Sequence, residues 1–340
     1  MHQLEELAQA TSTPLGYFFL PNPPEERLSI PHFRTLGNAG PKKPSANLLE
    51  TVQIMERRQD WMREHLVEIG SEPLSFIRSA KVSDGPEGLA CKMRHALGLA
   101  EDWAADQKRW TDALRHLIKK MEDTGILVIV NGIVGNNTYR KLDPLEFRGF
   151  VLADEYAPLV FVNGADGKAA QMFTLAHELA HLWFGSSAAF DLRGLQPADD
   201  EIEQACNRLA AEFLVPAKKM CEFWPSIERD SKTFQAVARR FKVSELVAAR
   251  RAIDLELITK TEFLDFYRRY QEKERRVAKG KEGGDFYAAQ NLRIGRRFAV
   301  AVVSAARESK LLYRDAYQLT GLYGDTFERY AQKILAEVTA

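Results

Sequence analysis

Cysteine is scarce in this chain. Its 340 residues contain only Cys91, Cys206 and Cys221, an odd number of thiols at wide spacing. Such a set argues against a disulfide framework. The sequence also lacks an apolar run that approaches the ~20 residues of a membrane span, and its N-terminus lacks the basic and then apolar regions of a secretory signal. We therefore expect a soluble cytoplasmic protein.

The chain also has no net charge. Lys+Arg and Asp+Glu each number 47, so the formal net charge at pH 7 is zero. No global field therefore attracts the chain to nucleic acid or to a membrane. The hydrophobic content of 45% is ordinary for a globular protein, and the length allows two or three domains.

Prolines, helical periodicity and β-branched runs divide the chain into five segments. We predict a proline-rich N-terminal arm at 1–44, a helical subdomain at 45–122, a core of strands followed by helices at 123–220, a helix-turn-helix-like helical region at 221–270 and a helical C-terminal region at 271–340. In the arm, the apolar run from Leu15 to Leu20 is expected to lie against the body of the protein.

The core segment begins with three short β-branched or aromatic runs. Residues 126–130, 149–152 and 159–162 are separated by Gly, Asn, Asp and Pro, which is typical of strands in an antiparallel meander. The last of them is expected to offer its edge to an extended peptide.

The helix predicted after these strands contains the pattern H-E-x-x-H. His177 and His181 are four residues apart, so they project from one helix face and both imidazoles can reach one metal ion. Glu178 lies where it can hold and deprotonate a water molecule on that metal. The flanking residues are apolar, and burying these polar groups is costly unless a cation compensates them. The alternative interpretation is a pair of hydrogen-bonded core histidines.

A catalytic zinc needs a third protein ligand and one open position. The next acidic helical stretch offers Glu203, with Asn207 on the same face to hydrogen-bond a ligating histidine from behind. Glu201 is the main competitor and points to another face. Glu212 lies two turns later, and Cys206 lies off the Glu203 face, which favours a packing role. Zinc suits a His/His/Glu set, although manganese can occupy one too.

Three runs taken together resemble the ImmA/IrrE-like metallopeptidases. They are 171–183, which contains the H-E-x-x-H pattern, 203–207 and 210–216, and the resemblance is strongest over 125–216. It implies an α+β fold with a zincin-like metallopeptidase core, made of a small antiparallel sheet plus active-site helices, between mostly helical N- and C-terminal regions. It also implies that His177, His181 and Glu203 bind the metal and that Glu178 is the general base.

The resemblance further implies a bacterial or phage metalloendopeptidase that cleaves a helix-turn-helix repressor, or another regulatory protein such as an antitoxin. Residues 7–25 are similar to the segment that follows an Xre-type helix-turn-helix in longer relatives. We therefore expect that DNA-binding module to be absent here or supplied by a separate protein. There are two alternative functions, in both of which the metal core would not cleave a protein substrate. One is a DNA-binding transcriptional regulator, and the other is an interaction protein of a toxin–antitoxin or phage-defence pair.

Two further features are predicted from the residues alone. Residues 234–251 form a helix-turn-helix pattern, whose basic side chains are candidates for phosphate contacts, although a helical packing unit is the favoured interpretation. These side chains are Arg239, Arg240, Lys242, Arg250 and Arg251. A second donor for the oxyanion of the reaction is expected from another segment, with Tyr139 and Tyr156 as candidates.

Overall fold

The computed structural model describes residues 2–11, 15–22, 44–185, 188–190, 201–230, 232–276 and 286–339. Within these ranges the α-helices are α1 (His2–Thr11), α2 (Ala46–Glu68), α3 (Pro86–Ala96), α4 (Trp110–Asp123), α5 (Lys168–Phe184), α6 (Glu201–Leu214), α7 (Ala217–Phe223), α8 (Thr233–Phe241), α9 (Glu245–Asp254), α10 (Lys260–Arg276), α11 (Phe286–Ile294), α12 (Arg296–Arg307), α13 (Tyr313–Thr320) and α14 (Gly324–Thr339). The strands are β1 (Leu127–Asn131), β2 (Ile133–Val134), β3 (Asn137–Lys141), β4 (Gly149–Leu152), β5 (Leu159–Asn163) and β6 (Ala188–Phe190). Many helices around one small sheet confirm the predicted α+β class.

The main sheet is mixed rather than antiparallel. Its strand order is β1-β5-β4-β6, and β1 pairs with β5 in parallel, with Leu127 opposite Leu159 and Asn131 opposite Asn163. Only the pairs β4–β5 and β4–β6 are antiparallel. The predicted antiparallel meander is therefore wrong for the first strand.

The cause lies in the connection between β1 and β5. A parallel pair needs a crossover of about a dozen residues or more, and the 27 residues 132–158 supply it because they contain the β2–β3 hairpin and β4. Both β1 and β5 are buried along their whole length. Strands buried on both faces are apolar throughout, so their sequences carry no alternation that would distinguish parallel from antiparallel pairing.

The predicted peptide-binding edge is also corrected by this topology. Strand β5 has β1 on one side and β4 on the other, so it offers no free edge to an extended peptide. The outer edge of β4 is paired with β6, where Gly149 lies opposite Phe190 and Val151 opposite Ala188. An added strand at β5 would have to displace one of its own neighbours.

The two faces of the sheet contribute to two separate hydrophobic clusters. Val128 and Val160 belong to the first cluster together with α3, α4, α5, α6, α8 and α9. Ile129 and Phe161 belong to the second, which contains residues of α2, α12, α13 and α14. The predicted subdomain at 45–122 and the C-terminal region at 271–340 thus share cores with the sheet, while the five segment boundaries stay predictions.

A buried arginine joins the second cluster to the ends of two helices. Arg58 of α2 donates from Nε to the Leu319 carbonyl at 2.9 Å and from an Nη to the Arg293 carbonyl at 3.0 Å. These carbonyls lie in the last turns of α13 and α11, where no intrahelical donor is available. Burial lowers the pKa of Arg58 from 12.5 to about 10, which leaves the guanidinium charged at neutral pH.

The N-terminal arm differs from the prediction in its described part. Tyr17, Phe18, Phe19 and Leu20, which were expected to lie against the body, are exposed, with Phe19 62% accessible. They lie in and just after a short 3-10 helix at Leu15–Phe19 in which no residue is buried. The proline-rich stretch 23–43 and residues 277–285 of the C-terminal region lie outside the described residues. Among the helices that are described, none is both long and apolar enough to cross a bilayer.

We predict that Arg58→Ala lowers the free energy of unfolding by roughly 2–4 kcal/mol, because two buried carbonyls lose their charged donor. Arg57→Ala is the matched control, since Arg57 precedes Arg58 on the same helix and is exposed. Urea unfolding of both variants measures the difference. Equal midpoints for the two variants would show that the Arg58 contacts contribute nothing.

Candidate metal centre

Helix α5, which carries the H-E-x-x-H pattern, is enclosed by protein. Every residue from Gln171 to Trp183 is buried. A helix that is apolar around its whole circumference has to be a core helix, and this one packs against β4, β5, α4 and α6. The polar members of the pattern therefore lie inside the first hydrophobic cluster.

The C-terminal end of α5 is fixed by a neighbouring segment. The amides of Arg78 and Ala80 donate to the carbonyls of Leu182 and Trp183, both at 3.0 Å, in the turn where helix carbonyls lack partners. Gly185 ends the helix with φ +73°, as the sequence predicts for a glycine at this position. These contacts hold the histidine-bearing turns in place from one end.

Three side chains converge at the contact between α5 and α6. The Nε2 atoms of His177 and His181 lie 3.0 Å apart. Glu203 places Oε2 at 3.2 Å from His177 Nε2 and Oε1 at 3.3 Å from His181 Nε2. One ligand atom from each of the three lies within 4.8 Å of the others. The structure therefore brings together the three residues predicted as metal ligands.

The competitors for the third ligand lie elsewhere. Glu201 is exposed at the first residue of α6. Glu212 is buried about three turns further along α6, where it pairs with Arg251 and accepts the amide of Ala217 at 3.2 Å. Cys206 is buried in the first hydrophobic cluster, as a packing role requires. Among these alternatives, only Glu203 reaches the histidines.

Asn207 lies behind His177, as its position on α6 predicts. Its Oδ1 is 3.1 Å from His177 Nδ1, the ring nitrogen that faces away from Glu203. An amide oxygen accepts only, so this contact places a ring proton on Nδ1 and makes Nε2 the atom of His177 that can bind a metal.

Glu178 occupies a different side of α5 from the two histidines. It is fully buried, and neither carboxylate oxygen has a hydrogen-bond partner among the described residues. Its Oε1 lies against β4, close to Gly149. Burial raises the pKa of Glu178 well above 4.5, and the nearby charge of Glu203 raises it further. A buried carboxylate without a donor is costly, so its environment implies a partner that the protein itself does not supply.

The ionisation of His177 and Glu203 suits a cation. Burial lowers the pKa of His177 from 6.5 to about 4, although the hydrogen bond with Glu203 opposes this. For Glu203, burial alone raises the pKa, but the hydrogen bonds with His177 and His181 outweigh it and the pKa lies below 4.5. Neutral imidazoles and an ionised carboxylate are the forms that bind metal. The donor set and the orphaned Glu178 oxygens thus fit a metal ion, which His177, His181 and Glu203 would hold.

Neither tyrosine considered as an oxyanion donor lies with this cluster. Tyr139 is 95% exposed on the β2–β3 hairpin. Tyr156 packs against the second hydrophobic cluster, on the opposite face of the sheet from α5, with the Arg63 guanidinium over its ring. Sheet topology separates them from the site, and the sequence alone could not reveal this.

The helix-turn-helix pattern is present as α8 and α9, and four of its five basic side chains make contacts within the protein. Arg251 is buried against Glu212, and Lys242 is buried and donates to the Arg239 carbonyl. Arg240 lies over the Phe223 ring at 4.8 Å, and Arg250 pairs with Asp254 at 3.3 Å. These contacts favour a packing unit over a phosphate-binding surface.

One residue beside the site was missed by the sequence analysis. Gly149 begins β4 and contacts α5 next to Glu178. The signal that was available is an isolated glycine at the start of an apolar strand, which often marks a close approach of another element. Without knowledge of the sheet order, nothing indicated which element approaches.

Comparison with known proteins gives two family matches. Residues 121–252 match the Peptidase M78 family, described as an IrrE N-terminal-like domain. Residues 294–333 match a domain of unknown function, DUF8813. A search of curated proteins gave no match.

Together, the mixed sheet and the two helices that bring His177, His181 and Glu203 together form an α+β, zincin-like metallopeptidase core. The matched region contains this whole cluster. The match over residues 121–252 confirms the resemblance to the ImmA/IrrE-like metallopeptidases found in the sequence.

We predict that Glu203→Ala weakens zinc binding by at least about 100-fold, since loss of a ligand should exceed the 10- to 100-fold cost of losing an outer hydrogen bond. Glu201→Ala is the control, because it removes the same group two residues away on an exposed position. Isothermal titration of the metal-free protein with zinc measures both. Equal weakening by the two changes would contradict the assignment of Glu203.

We also predict that Asn207→Ala weakens zinc binding by about 10- to 100-fold, because His177 loses the acceptor that fixes its tautomer. The same titration applies, with far-UV circular dichroism to verify that α6 is intact. Unchanged zinc affinity in a folded variant would rule out this role for Asn207.

Proposed function

We propose that this protein is a zinc-dependent metalloendopeptidase of the gluzincin type, with the H-E-x-x-H pair of histidines and Glu203 as ligands and Glu178 as the general base. The observation that carries the proposal is the arrangement around α5. Three ligand atoms converge on one side, and a buried carboxylate without a hydrogen-bond partner lies on the next residue. Manganese would be the alternative metal, because the same donor set accepts it.

Bound zinc would act as a Lewis acid that lowers the pKa of water toward ~7 and polarises the scissile carbonyl. The chain's own residues would bind the metal, orient the ligands and exclude water. His177 and His181 lie on a buried helix, and Asn207 holds the ring of His177 in one orientation. The apolar cluster around α5 excludes bulk water and so strengthens every electrostatic interaction inside.

Glu178 is the group that moves the proton. A raised pKa makes its carboxylate a better proton acceptor than an exposed glutamate, and a base whose pKa approaches the working pH transfers protons most effectively. Glu178 takes a proton from the attacking water and then delivers it to the nitrogen of the leaving amine. The peptide C–N bond breaks as the new C–O bond is completed, so one water is consumed for each bond cleaved.

The substrate class is proposed from the family resemblance. We infer that the target is a helix-turn-helix repressor of the Xre type or an antitoxin, whose cleavage relieves transcriptional repression. The reaction would take place in the cytoplasm of a bacterium, with the peptidase encoded by the bacterium or by a phage. Direct DNA binding by α8 and α9 is not part of the proposal, because four of the five basic side chains of this pattern make internal contacts.

We predict that the zinc-loaded protein cuts peptides in a proteome-derived library and that Glu178→Gln reduces the rate by about 100- to 10,000-fold, since the general base is lost. Glu178→Gln should still bind zinc, because the ligand atoms belong to other residues. Mass spectrometry of the library maps the cuts, and a chelator followed by added zinc tests the metal requirement.

Two outcomes would contradict the proposal: cutting by Glu178→Gln at the wild-type rate, or no cutting by the zinc-loaded wild type. Co-incubation with a helix-turn-helix repressor encoded beside this protein separates it from its rivals. Cleavage supports the peptidase, duplex DNA binding without cleavage supports a regulator, and a stable complex with an intact partner supports an interaction protein.

A further inference from the structure

Gly149 of β4 lies directly against α5. A Cβ atom at this position would lie 2.6 Å from the Thr174 Cγ2, 2.8 Å from the Phe161 carbonyl oxygen and 3.2 Å from the Glu178 Oε1. The φ angle of Gly149 is not in the positive range. Glycine is therefore required here for space and not for its backbone freedom.

Thr174 and Glu178 are four residues apart, so they share one face of α5, and both contact the space beside Gly149. The Thr174 hydroxyl donates to the Ala170 carbonyl at 3.1 Å, back along its own helix. The methyl group of Thr174 is left as the group nearest to β4. The slot beside Gly149 is therefore bordered by a strand backbone on one side and by this methyl group on the other.

The Glu178 carboxylate lies in this slot with no hydrogen bond from the described residues to orient it. Its orientation consequently depends on steric contact. In a close-packed interior, shape of this kind can fix a side chain as firmly as a polar partner does.

We propose that Gly149 is a positioning residue for Glu178: the missing side chain creates the slot that sets where the carboxylate stands relative to the three ligands. The proposal rests on the assignment of Glu178 as the general base. Gly149 itself touches neither substrate nor metal in this role, and Thr174 is the second wall of the slot.

The alternative is that Gly149 only allows β4 and α5 to pack. Packing alone predicts that a larger residue destabilises the protein and leaves the turnover of the folded molecules unchanged. Positioning predicts that kcat falls while KM and zinc content do not change, because displacement of a catalytic group by about 1 Å can cost ~100-fold in rate.

The test uses the full chain loaded with zinc and a fluorescence-quenched peptide built on the strongest cut found in the library. We predict that Gly149→Ala lowers kcat by about 100-fold, with KM within about twofold of wild type and one zinc still bound. Gly167→Ala is the matched control, because Gly167 precedes the same helix and a Cβ there meets nothing within 4 Å. Wild-type kcat in folded Gly149→Ala would overturn the proposal.

A second pair of variants tests the slot if Gly149→Ala does not fold. Thr174→Val keeps a methyl group facing β4, whereas Thr174→Ala removes that wall, so we expect kcat of Thr174→Ala to be about 10-fold below that of Thr174→Val. Equal kcat for this pair would also overturn the proposal. Thermal unfolding of both variants controls for stability.

A crystal structure of Gly149→Ala gives a readout that does not depend on activity. We expect the Glu178 carboxylate to be displaced from β4, while His177, His181 and Glu203 superimpose on their present positions. If the zinc-loaded wild type cuts no peptide, the peptidase assignment fails but this displacement can still be observed. If the carboxylate stays in place, the positioning role fails whether or not the protein is a peptidase.

Discussion

The structure depends on the burial of three titratable groups in an apolar helix. His177, Glu178 and His181 have essentially no exposure, and the side chains around them on α5 are hydrophobic. Burying charge in such a place is unfavourable unless partners compensate it. Glu203 and Asn207 supply part of that compensation from α6, and a bound cation would complete it. The close packing of α5 on α6 and on the sheet is the means by which the chain keeps these groups out of water.

The sheet supports this arrangement because it is covered on both faces. On one face, α5 and its neighbours form the cluster that contains the site. On the other face, α2 and the C-terminal helices form a second cluster. Two hydrogen bonds from Arg58 of α2 to carbonyls of α13 and α11 connect these helices. The region that matches a domain of unknown function thus helps to hold the sheet that carries Gly149.

The residues of the site could be predicted from local sequence patterns. The order of the strands could not, because it depends on pairing between residues far apart in the sequence. The spacing of His177 and His181 and the helical face of Glu203 and Asn207 are properties of single helices, so they could be inferred from the sequence alone. The parallel pairing of β1 with β5 depends on how 27 intervening residues cross over, and both strands are uniformly apolar. For the same reason, the tyrosines proposed as oxyanion donors could not be placed on either face of the sheet, and Gly149 could not be matched to Glu178.

The shared second cluster has a consequence for synthesis of the chain. The ligands lie between residues 177 and 203, but among the described helices of the second cluster only α2 precedes the sheet in sequence, and the others begin at Phe286 or later. During translation Leu127, Ile129 and Phe161 lack this C-terminal cover until residues 286–339 have emerged, and contacts of such long sequence separation form slowly. Until then α2 covers this face of the sheet only in part, so we expect the nascent chain to expose apolar surface of the kind that chaperones bind.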